Sequence, residues 1–181
     1  WNAATPPGVP WDLVNSDPLT DLRARNDVMA TNTGHKANTF VMGPNVEKRL
    51  LDHPDVIDRI KYTQRGVVST DILASMFGVD RVMTLMASRN TAVEGAAATY
   101  SNIAGNHALL LYVDPAPGLM TPSAGLSFAW TGFLGGGAYG IRIRRYREEP
   151  KRTDWVEAEM SFDHKLVAAP LGEFFSSAVA S

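Results

Sequence analysis

Four groups of residues have types and spacings that invite a chemical reading. The run Gly135-Gly-Gly137-Ala-Tyr-Gly140 matches the dinucleotide fingerprint in form. That chemistry needs the glycines to turn a strand into a helix whose N-terminus holds a pyrophosphate. Here the residues from Tyr139 onward alternate like a strand and carry arginines, so the run reads as a glycine hinge. Four histidines, His35, His53, His107 and His164, are scattered, with no carboxylate or second histidine at metal-ligand spacing. His53 precedes a proline at a helix end, where a cation suits the helix dipole. Asp52, Asp55 and Asp58 recur at spacing three beside Arg59 and Lys61, the pattern of a solvated helix face. No serine lies in a Gly-x-Ser-x-Gly nucleophile elbow. No catalytic, cofactor-binding or metal set emerges.

The fourth group is electrostatic. Residues 142–159 carry eleven charges, six basic and five acidic. Arg142, Arg144, Arg145, Arg147, Lys151 and Arg152 alone would track phosphates. Glu148, Glu149, Asp154, Glu157 and Glu159 reduce the cluster to +1. Interspersed charges of this kind favour ion pairs between strands or between subunits, with Arg142, Arg144, Arg145, Glu157 and Glu159 as the candidates. By contrast, Asp114 is the one formal charge from Gly95 to Ile141, with His107 neutral. Prolines and glycines break that stretch too often for a membrane helix. It reads as a core strand with small-residue loops, or as surface hidden against another subunit, because interface centres are depleted in charge.

The elements that position these residues are legible in outline. Ser16-Asp17-Pro18 opens a helix that Gly34 closes, with Leu19, Leu22 and Met29 on one face. Residues 39–42 form a short strand. Gly43-Pro44 opens a second helix ending at His53-Pro54, another helical turn follows through Ile60, and Ser69 caps a helix over 70–77 closed by Gly78. Residues 82–87 and 108–113 are expected as buried strands, 88–106 as loop and 126–130 as a further strand. Residues 139–147 alternate with Ile141 and Ile143 on one face. Residues 155–163 repeat the pattern with Val156, Ala158, Met160 and Phe162. A long antiparallel pair of half-buried strands is expected, its second strand continuing to 169, and then a closing helix over 171–180. Helices early and antiparallel strands late make the class α+β.

Composition bounds the rest. At 181 residues the chain is about one domain long. Its 17 Lys+Arg against 19 Asp+Glu give a net charge of −2, which argues against a dedicated nucleic-acid reader or an electrostatic membrane binder. The absence of cysteine removes disulfides and thiol chemistry. The chain starts at Trp1 without a signal pattern and reads as a piece of a longer protein.

The run from Asn38 through Thr39-Phe-Val-Met-Gly-Pro44, Leu50-Leu-Asp-His-Pro54 and Ile57-Asp-Arg-Ile-Lys-Tyr62 resembles major capsid proteins of tailed bacteriophages. So does Ser69-Thr-Asp-Ile-Leu-Ala-Ser-Met-Phe-Gly-Val79, and the likeness is to the branch akin to the lambdoid head protein, capsid protein E. Ser16-Asp-Pro-Leu-Thr-Asp-Leu22, Pro122-Ser-Ala-Gly-Leu-Ser-Phe-Ala-Trp130 and the late arginine-rich strand are similar too. The resemblance implies the Hong Kong 97-type fold without its N-terminal arm and extended loop. Residues 1–43 would begin a peripheral domain whose spine helix is 17–34. Residues 44–125 would form an axial domain, 126–168 the returning peripheral strands, and 169–181 a segment on the axial side. It also implies a non-enzymatic subunit of an icosahedral head, in the virion and, during assembly, the host cytoplasm. Its partners would be copies of itself in hexamers and pentamers, scaffold, portal and decoration proteins, and double-stranded DNA held by confinement. An encapsulin-like compartment shell and a small α+β enzyme with a nonlocal polar site stand as alternatives.

Overall fold

The computed structural model describes residues 7–61, 69–118, 120–130, 132 and 141–180. The glycine run at 135–140 and Tyr62 therefore lie outside the described residues. The chain divides into two compact units, Trp1–Ala124 with Ala168–Ser181, and Gly125–Val167.

In the first unit, helix α1 spans Pro18–Thr33. Asp17 caps it by accepting from the Thr20 amide at 3.0 Å and the Thr20 hydroxyl at 2.6 Å, which satisfies donors the first turn leaves open. At the far end Gly34 adopts the left-handed conformation (φ 75°) and donates to the Ala30 carbonyl. Only glycine takes that backbone at no steric cost. Leu19, Leu22 and Met29 are buried, and Val28 is exposed.

Strand β1 (Thr39–Met42) is followed by α2 (Pro44–Leu51), α3 (Pro54–Ile60) and α4 (Thr70–Phe77). Strand β2 (Arg81–Thr84) then pairs with β1 in parallel. A parallel pair requires a crossover, which the intervening helices supply. Residues 88–106, expected as loop, contain the hairpin of β3 (Ser88–Asn90) and β4 (Tyr100–Asn102). Strand β5 (Ala108–Leu111) runs antiparallel to β1. The expected closing helix over 171–180 is absent from the described residues. In its place a 3-10 turn at Ala169–Leu171 leads into β10 (Gly172–Phe175), which pairs antiparallel with β5. The free edge of β5 offers this segment a full ladder, and tertiary pairing overrides local helix preference. The four-stranded sheet has the order β10-β5-β1-β2.

Trp11, Phe40, Phe77, Leu110 and Phe175 centre the core. The Trp11 ring lies 5.1 Å from Phe175 and 6.5 Å from Phe40, with Phe77 5.5 Å from Phe40 edge-on. Each such buried side chain contributes about 1.5–3 kcal/mol by leaving water. Asn38 extends the sheet with its side chain, donating to the Val113 carbonyl at 2.6 Å and accepting from the Val113 amide at 2.9 Å.

The second unit holds β6 (Gly125–Ala129), β7 (Ile141–Glu148), β8 (Thr153–Met160) and β9 (Phe162–Leu166). The expected single long second strand is interrupted at Ser161. Strand β7 pairs with β8, and β6 pairs with β9, both antiparallel.

Candidate interaction surface

The β7–β8 ribbon carries the charged cluster read from the sequence. Its turn is a 3-10 segment, Glu149–Lys151, closed by Arg152 at φ 48°. The register opposes Arg142 to Glu159, Arg144 to Glu157, Tyr146 to Trp155 and Glu148 to Thr153. Because side chains alternate along a strand, these pairs share one face. Ile141 opposite Met160, Ile143 opposite Ala158, and Arg145 opposite Val156 share the other.

The first face satisfies much of its own charge. Arg142 holds the Glu159 carboxylate through both Nε and Nη2, at 3.0 and 2.7 Å. Trp155 donates its indole N–H to Glu148 at 3.0 Å, and Lys151 reaches the other oxygen of Glu148 at 2.9 Å. On the opposite face, near the turn, Arg147 bridges Glu149 and Asp154. Arg144 and Glu157 line one shallow depression with Arg145 and Tyr146. Yet among the described residues no ion pair within 4.0 Å engages Arg144, Arg145 or Glu157. The structure thus brings together Arg142 and Glu159, and among the described residues the other three candidates form no ion pair within 4.0 Å.

The second face differs from the half-buried expectation. Ile143 is 67% and Val156 65% exposed, and Ile141 and Met160 are exposed as well, as are Phe162 and Leu166 of β9. No described residue of the second unit is buried. A two-stranded ribbon without a covering layer is marginal in water. Its apolar face is a surface built for contact.

The remaining candidates are dispersed. His53, read as a cation at a helix end, is buried and caps α3. Its Nδ1 accepts from the Asp55 amide, while Nε2 lies 3.0 Å from Ser16 Oγ. Ser16 spends its own proton on the Leu13 carbonyl, so His53 donates from Nε2. This is an acceptor's role, because the amide N–H beyond the cap needs a lone pair. His35 stacks on Tyr112, His107 accepts from the Ser177 amide, and His164 pairs with Ser127 at 2.8 Å. Asp52 and Asp58 are exposed on the α2–α3 surface, with Asp55 half-buried. Among the described residues no three His, Asp or Glu side chains could hold a metal ion, and no helix is long and apolar enough to cross a membrane.

The sequence reading missed a second exposed apolar surface at 83–103, where Met83, Met86, Val93, Tyr100 and Ile103 are exposed. Its signal was present in the scarcity of charge, but small polar residues without alternation concealed the hairpin.

A mixed α+β fold that presents an open apolar ribbon beside matched charges has the features of a protein that associates through its surface. The comparisons with known proteins give the class a family. A family model described as phage major capsid protein E matches residues 8–131, and the chain belongs to that family. It is similar to the major capsid protein of Burkholderia phage BcepMu, at 34% identity over 67 residues, which is 37% of this chain and 22% of that protein. It is also similar in fold to the crystal structure of a phage-related protein from Bordetella bronchiseptica RB50. That match has a TM-score of 0.78 at 21% identity and covers 93% of this chain and 54% of that one. The chain therefore spans about half the length of this solved relative.

Proposed function

We propose that the chain is a structural subunit of an icosahedral phage head, with no catalytic step of its own. In this reading the fold is of the Hong Kong 97 type. Helix α1 is the spine within residues 1–43, and 44–125 form the axial domain. Residues 126–168 return along the peripheral domain, and 169–181 close on the axial side. Copies assemble into hexamers and pentamers through a heterologous interface whose rotation closes into rings. The shell encloses double-stranded DNA and works with scaffold, portal and decoration proteins. It resides in the virion and, while it assembles, in the host cytoplasm.

The single observation that carries the reading is the capsid-family match over 8–131. The second unit adds support, since its apolar face needs a cover that a tiling neighbour supplies. Arg142, Arg144, Arg145, Glu157 and Glu159 then act as an ion-pair strip. Arg142 and Glu159 pair within the subunit, while Arg144 and Arg145 meet carboxylates between subunits.

Electron microscopy of the full-length product expressed alone tests the assembly, and nucleic acid recovered from purified particles tests the contents. Arg144→Glu makes the ion-pair role measurable. Particle yield should fall and become salt-dependent between roughly 0.05 and 0.5 M, where screening lengths shrink from beyond 10 Å to a few ångströms. Unchanged assembly of that variant would count against the strip.

A further inference from the structure

The hairpin arm at 85–103 is cross-linked by its own hydrogen bonds although none of its side chains is buried. Asn90 Oδ1 accepts from the amides of Ala92 and Thr99, both at 3.0 Å. The Thr91 amide and hydroxyl both donate to the Thr99 carbonyl, at 2.7 and 3.1 Å. The Ile103 amide closes the base on the Ala87 carbonyl at 2.9 Å. Nevertheless no residue from 85 to 103 is buried. Met86, Val93, Tyr100 and Ile103 are 68%, 77%, 71% and 56% exposed. Ordering an exposed loop costs conformational entropy, and a preordered loop returns that cost when something binds it.

The arm's charges indicate what binds. Between 85 and 103 the chain has one cation, Arg89 on β3, and one anion, Glu94 at the tip. Both are exposed, and among the described residues no ion pair engages either. One charge of each sign, at different heights on the same apolar element, is complementary to another copy of that element.

We propose that the β3–β4 arm is a contact between copies of this chain, in which Arg89 of one copy meets Glu94 of the next within a surround of Met86, Val93, Tyr100 and Ile103. The inference rests on the shell-subunit reading and names the partner of this arm as a second copy. It assigns the apolar side chains to affinity and the charge pair to register.

The natural chain contains no cysteine, so disulfide trapping has no background. Full chains carrying Arg89→Cys and Glu94→Cys are prepared separately, mixed and oxidised. A crosslinked dimer in the mixture, beyond the amount in either variant alone, supports the contact. In parallel, Arg89→Glu and Glu94→Arg should each weaken self-association by about fivefold per interface, and the double swap should restore it. A circular dichroism melt unchanged from wild type shows that the swaps leave the fold intact. If wild-type chains assemble but no mixed crosslink forms and the swaps have no effect, the arm contact is overturned while the shell reading stands. If wild-type chains remain monomeric under every assembly condition, the shell reading fails and the arm contact with it.

Discussion

Among the described glycines, Gly43 leaves the least room for a side chain, because neighbouring backbone fills the space a Cβ would take. Its amide donates to the His107 carbonyl at 2.9 Å. A Cβ placed there would collide with the Gly105 carbonyl oxygen and lie 2.8 Å from the Ala104 oxygen. Neither obstacle is a flexible side chain, so Gly43→Ala must displace the start of α2 or the turn before β5. We expect a loss of about 3 kcal/mol, the upper range for overpacking, read by urea denaturation. A loss below about 1 kcal/mol would mean the turn yields easily. Asp17 gives a residue-scale effect with a pH signature. Its side-chain hydrogen bond to Thr20 is the main cause holding its carboxyl below the usual 3.8, aided by the Thr20 amide and the Arg59 charge. A folded-state pKa that is depressed contributes stability present above the unfolded value and lost as pH falls through the folded one. Asp17→Ala should therefore cost about 1 kcal/mol near neutrality. The gap from wild type should narrow only below pH 3.8, as followed by denaturant titrations at successive pH values.

At the scale of elements, stability is distributed unevenly. Strand β1 is flanked on both sides in the sheet and carries the fully buried Phe40 and Met42. Among the described residues strands β7 and β8 pair only with each other, and none of their side chains is buried. Local opening follows buried apolar contact, so amides of β7 and β8 should exchange with solvent far faster than those of β1 in the unassembled chain. If the ribbon's apolar face is covered in the shell, the same amides should slow by about tenfold or more on assembly. Exchange mass spectrometry of free and assembled protein checks both statements, and equal ribbon exchange in the two states would remove this face from the interface. The same unevenness explains what was legible in the sequence. Helix α1 was readable because its start and stop are chemical, with Asp17 and Pro18 at one end and Gly34 at the other. The ribbon was readable because a period of two survives even when its face is open. Burial was not readable, because Ile143 and Val156 look the same in sequence whether their cover lies in the same chain or in another. Strand β10 was missed because its conformation depends on the distant edge of β5, and the β3–β4 hairpin because backbone and Asn90 hold it rather than apolar alternation. Of the candidate strip, the Arg142–Glu159 pair followed from facing strands, whereas it took coordinates to see that, among the described residues, Arg144 forms no ion pair with the Glu157 opposite it.

For the whole molecule the informative quantity is net charge. A shell wall that encloses DNA has two physical options, to attract the polyanion or merely to confine it. Attraction requires several cations free to displace counterions from phosphates, and it leaves a steep salt dependence. This chain has 17 Lys+Arg against 19 Asp+Glu. In its most basic segment Arg142, Arg147 and Lys151 are already engaged by carboxylates. In that segment Arg144, Arg145 and Arg152 remain outside any ion pair within 4.0 Å among the described residues, and five carboxylates in the same eighteen residues oppose a phosphate there. On the proposed shell reading, a net charge of −2 over these 181 residues favours confinement over attraction. Titrating labelled duplex DNA with the unassembled chain should give a dissociation constant no tighter than about 10⁻⁴ M at physiological salt, the weak end of nonspecific binding. The slope of log affinity against log salt should correspond to no more than about two or three phosphate contacts. A steep slope near six contacts, with micromolar affinity, would instead mean that the wall holds its contents by charge. The arginine strip would then belong to the DNA rather than to a neighbouring subunit.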